Sequence, residues 1–231
     1  MARMRDLKKE KKSSDSRFKR FIRLWLNLQR STLLRLSVED EVALKSAEEA
    51  HHALIQWFTK HNKGVLTKPT CQNLGGIPSY VVGFPDPKLA MVAMILVSDV
   101  YGFEAPNLRK LADKVAAAGF FVAVPDFLKG DPYNPENSKP TWLKDHSPEE
   151  GFENAKVVIQ DLKSRGFSAI GAAGFCWGGK VVGELAKLNS IHATMILHPS
   201  FVTVDDIKEV EVPLAVLGAE FDGDSPPELL T

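Results

Sequence analysis

The sequence predicts an α/β protein whose mostly parallel sheet carries helices on both faces, preceded by an amino-terminal helical extension. Three observations predict it. From about Val65, short apolar runs alternate with helical stripes in β-α-β-α order, the pattern that joins parallel strands. One run, Ala90 to Val97 (AMVAMILV), is continuously apolar, as a strand buried on both faces must be. Charge also divides the chain: residues 1–35 hold 12 Lys and Arg against 3 Asp and Glu, a net +9, and the remainder carries a net −9.

Of the 231 residues, 44% are hydrophobic and 25% charged, the balance of a globular protein able to bury a core without disulfides or metals. The two cysteines, Cys71 and Cys176, exclude a disulfide-stapled secreted scaffold. No apolar run reaches the ~18 residues that a membrane-spanning helix needs. The overall charge of zero gives no argument for a nucleic-acid partner. With no secretion signal legible, the cytoplasm is the expected compartment.

The extension, residues 1–64, divides into two expected helices. Phe18, Phe21, Ile22, Trp25 and Leu28 recur at three- and four-residue steps among Lys19, Arg20, Arg23 and Arg30. Ser37 to Asp40 forms a capping box for a second helix whose apolar face uses Ala47, Ala50, Leu54, Trp57 and Phe58. Three readings stay open. Residues 17–35 fit contact with an anionic membrane surface, the Arg-rich, acid-poor residues 1–35 fit an organelle targeting segment, and the extension also fits an appended helical hairpin with no function of its own.

From Val65 onward the elements follow in order. Ser79 to Val82 is a short strand after the Gly75-Gly76 turn, and Ala90 to Val97 is the central strand. Ala105 to Ala118 is a helix with Leu108, Leu111, Val115 and Ala116 on one face, stopped by Gly119. Phe120 to Val124 is a strand ended by Pro125-Asp126. Residues 127–147, rich in Pro, Asp, Asn and Lys, are expected to be a loop. Glu149 to Arg165 is a helix, Ala169 to Ala173 a strand and Trp177 to Lys187 a helix. Ala193 to Leu197 and Leu214 to Leu217 are the last two strands. Such sheets place their chemistry at the carboxyl ends of the strands.

The site candidate is Gly174-Phe175-Cys176-Trp177-Gly178-Gly179, between a strand and a helix. A nucleophile elbow needs this spacing: the turn is so sharp that side chains two positions from the nucleophile would collide, so Gly174 and Gly178 stand there. The turn lifts the Cys176 sulfur above the sheet edge, where the following helix dipole favours a thiolate. The Trp177 amide then faces the place where an oxyanion would form. A rival reading uses the same letters, since Gly174 to Lys180 also spells a Walker A loop. That loop needs Ser or Thr next, and Val181 follows. The third reading is an inert cysteine in a buried turn.

Three stretches, Leu96 to Pro132, Ala169 to Val181 and Leu217 to Leu229 (LGAEFDGDSPPEL), resemble the dienelactone hydrolase family in the family's own order. The resemblance runs from about Thr70 to the end and leaves residues 1–64 outside. It is strongest to plant members, which often carry an endo-1,3;1,4-β-D-glucanase label. It implies an α/β-hydrolase fold and a Cys-His-Asp triad; no cofactor or metal is expected, since no residues have the spacing of a metal site and two distant cysteines cannot supply one. The nucleophile falls on Cys176 and the acid on Asp222. The second oxyanion amide falls on Val100, after Asp99. Bacterial relatives carry Glu at that acidic position, where it restrains the resting thiol; Asp99 is one methylene shorter. A strand-end Asp also caps the next turn.

The resemblance further implies a histidine after one more helix and strand. The chain ends at Thr231, nine residues past Asp222, so the domain is expected to be incomplete at its carboxyl end. Of the six histidines, His198, at the carboxyl end of its strand, is the candidate surrogate. Two functional readings follow. One is a carboxymethylenebutenolidase-like hydrolase of a small-molecule ester or lactone. The other is an inactive, shortened hydrolase domain that binds a membrane or partner. Glycosidic cleavage uses two opposed carboxylates, and a cysteine elbow fits acyl transfer to water far better.

Overall fold

A single seven-stranded sheet organises the residues that the computed structural model describes, 67–84 and 92–218. The expected helices of residues 1–64, and Asp222 near the carboxyl end, lie outside those residues. The strands are β1 (Thr67–Leu74), β2 (Ile77–Gly83), β3 (Val92–Val97), β4 (Phe121–Pro125), β5 (Ala169–Phe175), β6 (Ala193–Leu197) and β7 (Leu214–Leu217). They pair in the order β1-β2-β4-β3-β5-β6-β7. The first three neighbours in that order run antiparallel, and every pairing from β4 across to β7 is parallel.

Each parallel connection carries a helix. The helices are α1 (Pro106–Ala117), α2 (Lys139–Asp145), α3 (Pro148–Ser164), α4 (Trp177–Leu185) and α5 (Val204–Lys208). Strand periodicity distributes them over the two faces. Ala93, Ile95 and Val97 of β3 join one core with Val158, Ile159 and Leu162 of α3 and Val181, Val182 and Leu185 of α4. The alternate residues Val92, Met94 and Leu96 are equally buried on the other face. On β2 the same alternation puts Val81 in the α3–α4 core and sends Tyr80 toward α1, where its hydroxyl donates to Asp113 Oδ1 at 2.5 Å. Burial and that acceptor together push the Tyr80 phenol well above its usual range.

Three elements depart from the sequence expectation. The 127–147 segment is not all loop: α2 lies within it, starting at Ser138 with Pro in its first turn. Its Trp142 is buried, donates Nε1 to the Asp131 carbonyl at 3.0 Å and stacks on His146. β1 went unread because TKPTCQNL is polar and holds a proline; it is an exposed strand with an irregularity beside that proline. It hairpins to β2 through Gly75 and Gly76, both at positive φ as a two-residue turn of this hand requires. Finally, α5 is one short turn held by its capping box rather than by an apolar stripe.

That short helix is fixed by charge. Asp206 accepts from the Thr203 amide at 2.8 Å, from Lys180 Nζ at 2.7 Å and from Lys187 Nζ at 2.9 Å, so one carboxylate joins α5 to α4. Burial alone would raise Asp206, but the two ammonium groups and Thr203 outweigh it and hold the carboxyl well below the usual range. A carboxyl depressed on folding stabilises the native state above its unfolded value, near pH 4, and loses that contribution as pH falls toward its folded value. Asp206→Asn should therefore cost about 2 kcal/mol at pH 7, less than a fully buried pair because both lysines keep some solvent. Urea denaturation from pH 7 to pH 2.5 checks this, with wild type and variant converging as pH drops below about 4.

Candidate active site

Between the last residue of β5 and the first of α4 the chain has one residue, Cys176, at φ 50° and ψ −111°. A side-chain-bearing residue adopts such angles only where its surroundings force it, at a cost on the order of 1–3 kcal/mol. The forcing contacts are on both sides. The Cys176 amide donates to the Leu197 carbonyl of β6 at 3.1 Å. Its own carbonyl accepts from the Gly179 amide at 2.9 Å and from the Ser200 amide at 3.0 Å.

The glycines answer to the same crowding. A Cβ on Gly174 would lie 2.1 Å from the Gly178 carbonyl oxygen. One on Gly178 would lie 2.5 Å from the carbonyl oxygens of Val97 and Ser98, and one on Gly179 would lie 2.9 Å from Pro199 Cβ. Bare backbone at Gly178 therefore lets the start of α4 abut the end of β3. The β3 exit carries Val100, and the first amide of α4 is that of Trp177, so the two expected oxyanion donors belong to abutting segments.

Val100 is buried in a turn closed by the Gly102 amide on the Asp99 carbonyl at 3.2 Å. Its own carbonyl is held by the Tyr133 amide at 2.8 Å. Asp99 caps that turn, its Oδ1 accepting from the Tyr101 amide at 2.9 Å. Burial pushes the Asp99 carboxyl up, and the Tyr101 bond and the nearby His198 partly offset this.

Trp177 is fully buried, with Nε1 donating to the His146 carbonyl at 2.9 Å. Its ring lies where any side chain on Gly151 of α3 would be, a Cβ there falling 2.5 Å from it. Behind Trp177, His146 stacks on Trp142 and approaches the Trp142 carbonyl with Nδ1 and Asp131 with Nε2. Sequence reasoning missed this aromatic layer, although Trp142 and His146 stand four apart, one helical turn.

Cys176 is half-buried, and its sulfur lies 3.2 Å from Ser200 Oγ. Ser200 is the second residue that sequence reasoning missed. It lies 24 positions away and joins the elbow only through the β6–β5 pairing. His198 stands at the β6 exit, exposed, its ring centroid 6.3 Å from that of Phe175. His192 belongs to the opposite edge, where Nδ1 accepts from the Ile170 amide at the start of β5. Lys180, the lysine of the Walker reading, is bound to Asp206 and Glu184 and so is engaged away from the loop. Asp222 lies outside the described residues.

Comparisons with known proteins give one direction. A family model described as "Dienelactone hydrolase family" matches residues 77–228. An "Endo-1,3;1,4-beta-D-glucanase" of Zea mays is 46% identical over 154 residues, 67% of this chain and 50% of the maize protein. A "Carboxymethylenebutenolidase homolog" of Homo sapiens is 30% identical over 136 residues, covering 56% of each. The crystal structure of a candidate dienelactone hydrolase from Klebsiella pneumoniae superposes with a TM-score of 0.59 at 19% identity, over 72% of this chain and 78% of that one. The chain thus spans about half the length of the curated relatives it matches.

The glycine contacts carry a stability prediction. Gly178→Ala should destabilise by at least about 2 kcal/mol, because its Cβ meets backbone carbonyls that cannot move alone. Gly183→Ala, further along α4 with its nearest neighbour 3.9 Å away, should be neutral or stabilise by up to about 1 kcal/mol. Paired denaturant melts measure the contrast.

Proposed function

The chain belongs to the dienelactone hydrolase family, and from that premise we propose that it hydrolyses a small-molecule ester or lactone with Cys176 as nucleophile, in the manner of a carboxymethylenebutenolidase. The observation that carries the reading is Cys176, half-buried and at positive φ at the amino end of α4. A helix amino end stabilises negative charge, the charge that develops as the carbonyl is attacked.

In the first half-reaction the thiolate adds to the carbonyl carbon, and the carbonyl π electrons move to oxygen. The Trp177 and Val100 amides receive that oxyanion. The adduct collapses, the C–O bond to the leaving group breaks, and the departing alkoxide takes a proton from an imidazolium. A thioester on Cys176 remains. In the second half-reaction the same imidazole removes a proton from water, hydroxide attacks the thioester, and the acid departs as the sulfur regains its electron pair. The resemblance assigns Asp222 to orient that imidazole. His198, an exposed histidine at the β6 exit close enough to Asp99 to favour its charge, is the described residue we assign as its stand-in.

The name of the maize relative raises glucan cleavage. Glycosidases flank the scissile bond with two carboxylates roughly 5–10 Å apart. The elbow instead presents a sulfur, whose natural product with an acyl group is a thioester, so acyl transfer is the reading the residues favour.

In a Cys71→Ser background, p-nitrophenyl acetate should give a burst of p-nitrophenolate near one equivalent, and intact-mass analysis one acetyl group. Cys176→Ala should remove both and lower any turnover by at least about 1000-fold. Release of reducing ends from mixed-linkage β-glucan that survives Cys176→Ala would overturn the proposal.

A further inference from the structure

The β6 exit turn, His198 to Phe201, does more than end a strand. It carries two of the four non-glycine residues with positive φ among the described residues, His198 at 35° and Phe201 at 66°. Backbone outliers concentrate where the surrounding structure needs a particular geometry. Here the geometry bends the chain back over the elbow. Leu197 takes the Cys176 amide, Ser200 gives its amide to the Cys176 carbonyl, and Pro199 fills the space that Gly179 leaves open. Turn and elbow are therefore one rigid body, bracketed on both sides of the same residue.

The product of that bracketing is a hydroxyl beside the nucleophile. Ser200 is only 2% exposed, and its Oγ lies 3.2 Å from Cys176 Sγ. While the sulfur carries a proton either atom can donate; once it is ionised only the hydroxyl can.

We propose that Ser200 is the positioning residue of Cys176, its hydroxyl donating to the ionised sulfur and holding it in one rotamer toward the Trp177 and Val100 amides. The proposal rests on Cys176 being the nucleophile. Ser200 touches no substrate atom in this scheme; it acts through the sulfur. Among the described residues, the titratable groups at these strand ends are Asp99 at the β3 exit, Asp126 at the β4 exit and His198 at the β6 exit, and all three are retained in every variant below.

The test reads the sulfur directly, without any ester. In the Cys71→Ser background the rate of Cys176 alkylation by iodoacetamide is followed against pH. A charge-assisted hydrogen bond removed from the thiolate should move the Ser200→Ala profile up by about one pH unit. A more basic thiolate is also a better nucleophile, with a Brønsted slope of about 0.45. Alkylation should then be about threefold slower near neutral pH and about threefold faster on the alkaline plateau, so that the two profiles cross. Loss of packing alone would not produce a crossing.

Ser200→Thr and Ser200→Val decide the matter independently of fit, since they share a shape and differ in the hydroxyl. The Thr variant should keep the parent profile, and the Val variant should follow Ala. An unshifted Ala profile, or Thr and Val profiles that coincide, overturns the proposal. Failure of the hydrolase reading would show elsewhere, as ester turnover indifferent to Cys176→Ala, and would leave the alkylation comparison able to be read.

Discussion

Cys176, a non-glycine residue held at φ 50°, is the constraint around which the rest of this domain is arranged. No local preference favours it. The conformation persists because three parallel strands and one helix agree on it. β6 supplies the Leu197 carbonyl for the Cys176 amide, β3 presents the Val97 and Ser98 carbonyls to Gly178, and α4 returns the Gly179 amide to the Cys176 carbonyl. The order β3-β5-β6 places the elbow strand between the two that restrain it. A sheet of different order would have the same letters and no means to hold the bend.

The restraint extends through Trp177 into the layer above α4. An indole fully buried against Gly151, and anchored by its nitrogen to the His146 carbonyl, ties the first residue of α4 to the segment joining α2 and α3. Trp142 then stacks under His146 and bonds to Asp131. The amide that would face an oxyanion thus belongs to a residue whose side chain is held by the His146 carbonyl and packed against Gly151 of α3. On the opposite flank, Asp206 fixes α5 against Lys180 and Lys187. Packing on one side and charge on the other leave the amino end of α4 little freedom, the condition under which fixed dipoles stabilise charge without reorganising.

Legibility in the sequence followed physical range. β3 was readable as a continuous apolar run, β6 as a short one broken only by Thr194, and α1 and α3 because their stripes repeat at helical spacing. The elbow was readable because its steric demand falls on the residues two positions to either side of Cys176, Gly174 and Gly178. β1 was not, since an exposed strand needs no apolar alternation. α2 was not, since its single buried tryptophan gives no period. Ser200 was invisible for a deeper reason: its link to Cys176 runs through strand pairing, and nothing in His198-Pro199-Ser200 announces which turn it will lie against.

Asp99 shows how one methylene redistributes roles at such a site. The resemblance assigns the acidic residue of this turn to the resting thiol. Here Asp99 Oδ1 is bonded to the Tyr101 amide two residues on, so the carboxylate shapes the turn that carries Val100. The polar atom found beside the sulfur is a hydroxyl, Ser200 Oγ. The exchange has chemical weight. A carboxylate can only accept, so it favours the protonated thiol; a hydroxyl can also donate, and so can accompany the sulfur into its ionised form. Burial raises the Asp99 carboxyl against the Tyr101 bond and the nearby His198, and a serine rather than an acid beside the sulfur adds no further carboxylate where the proposed thiolate and oxyanion would form.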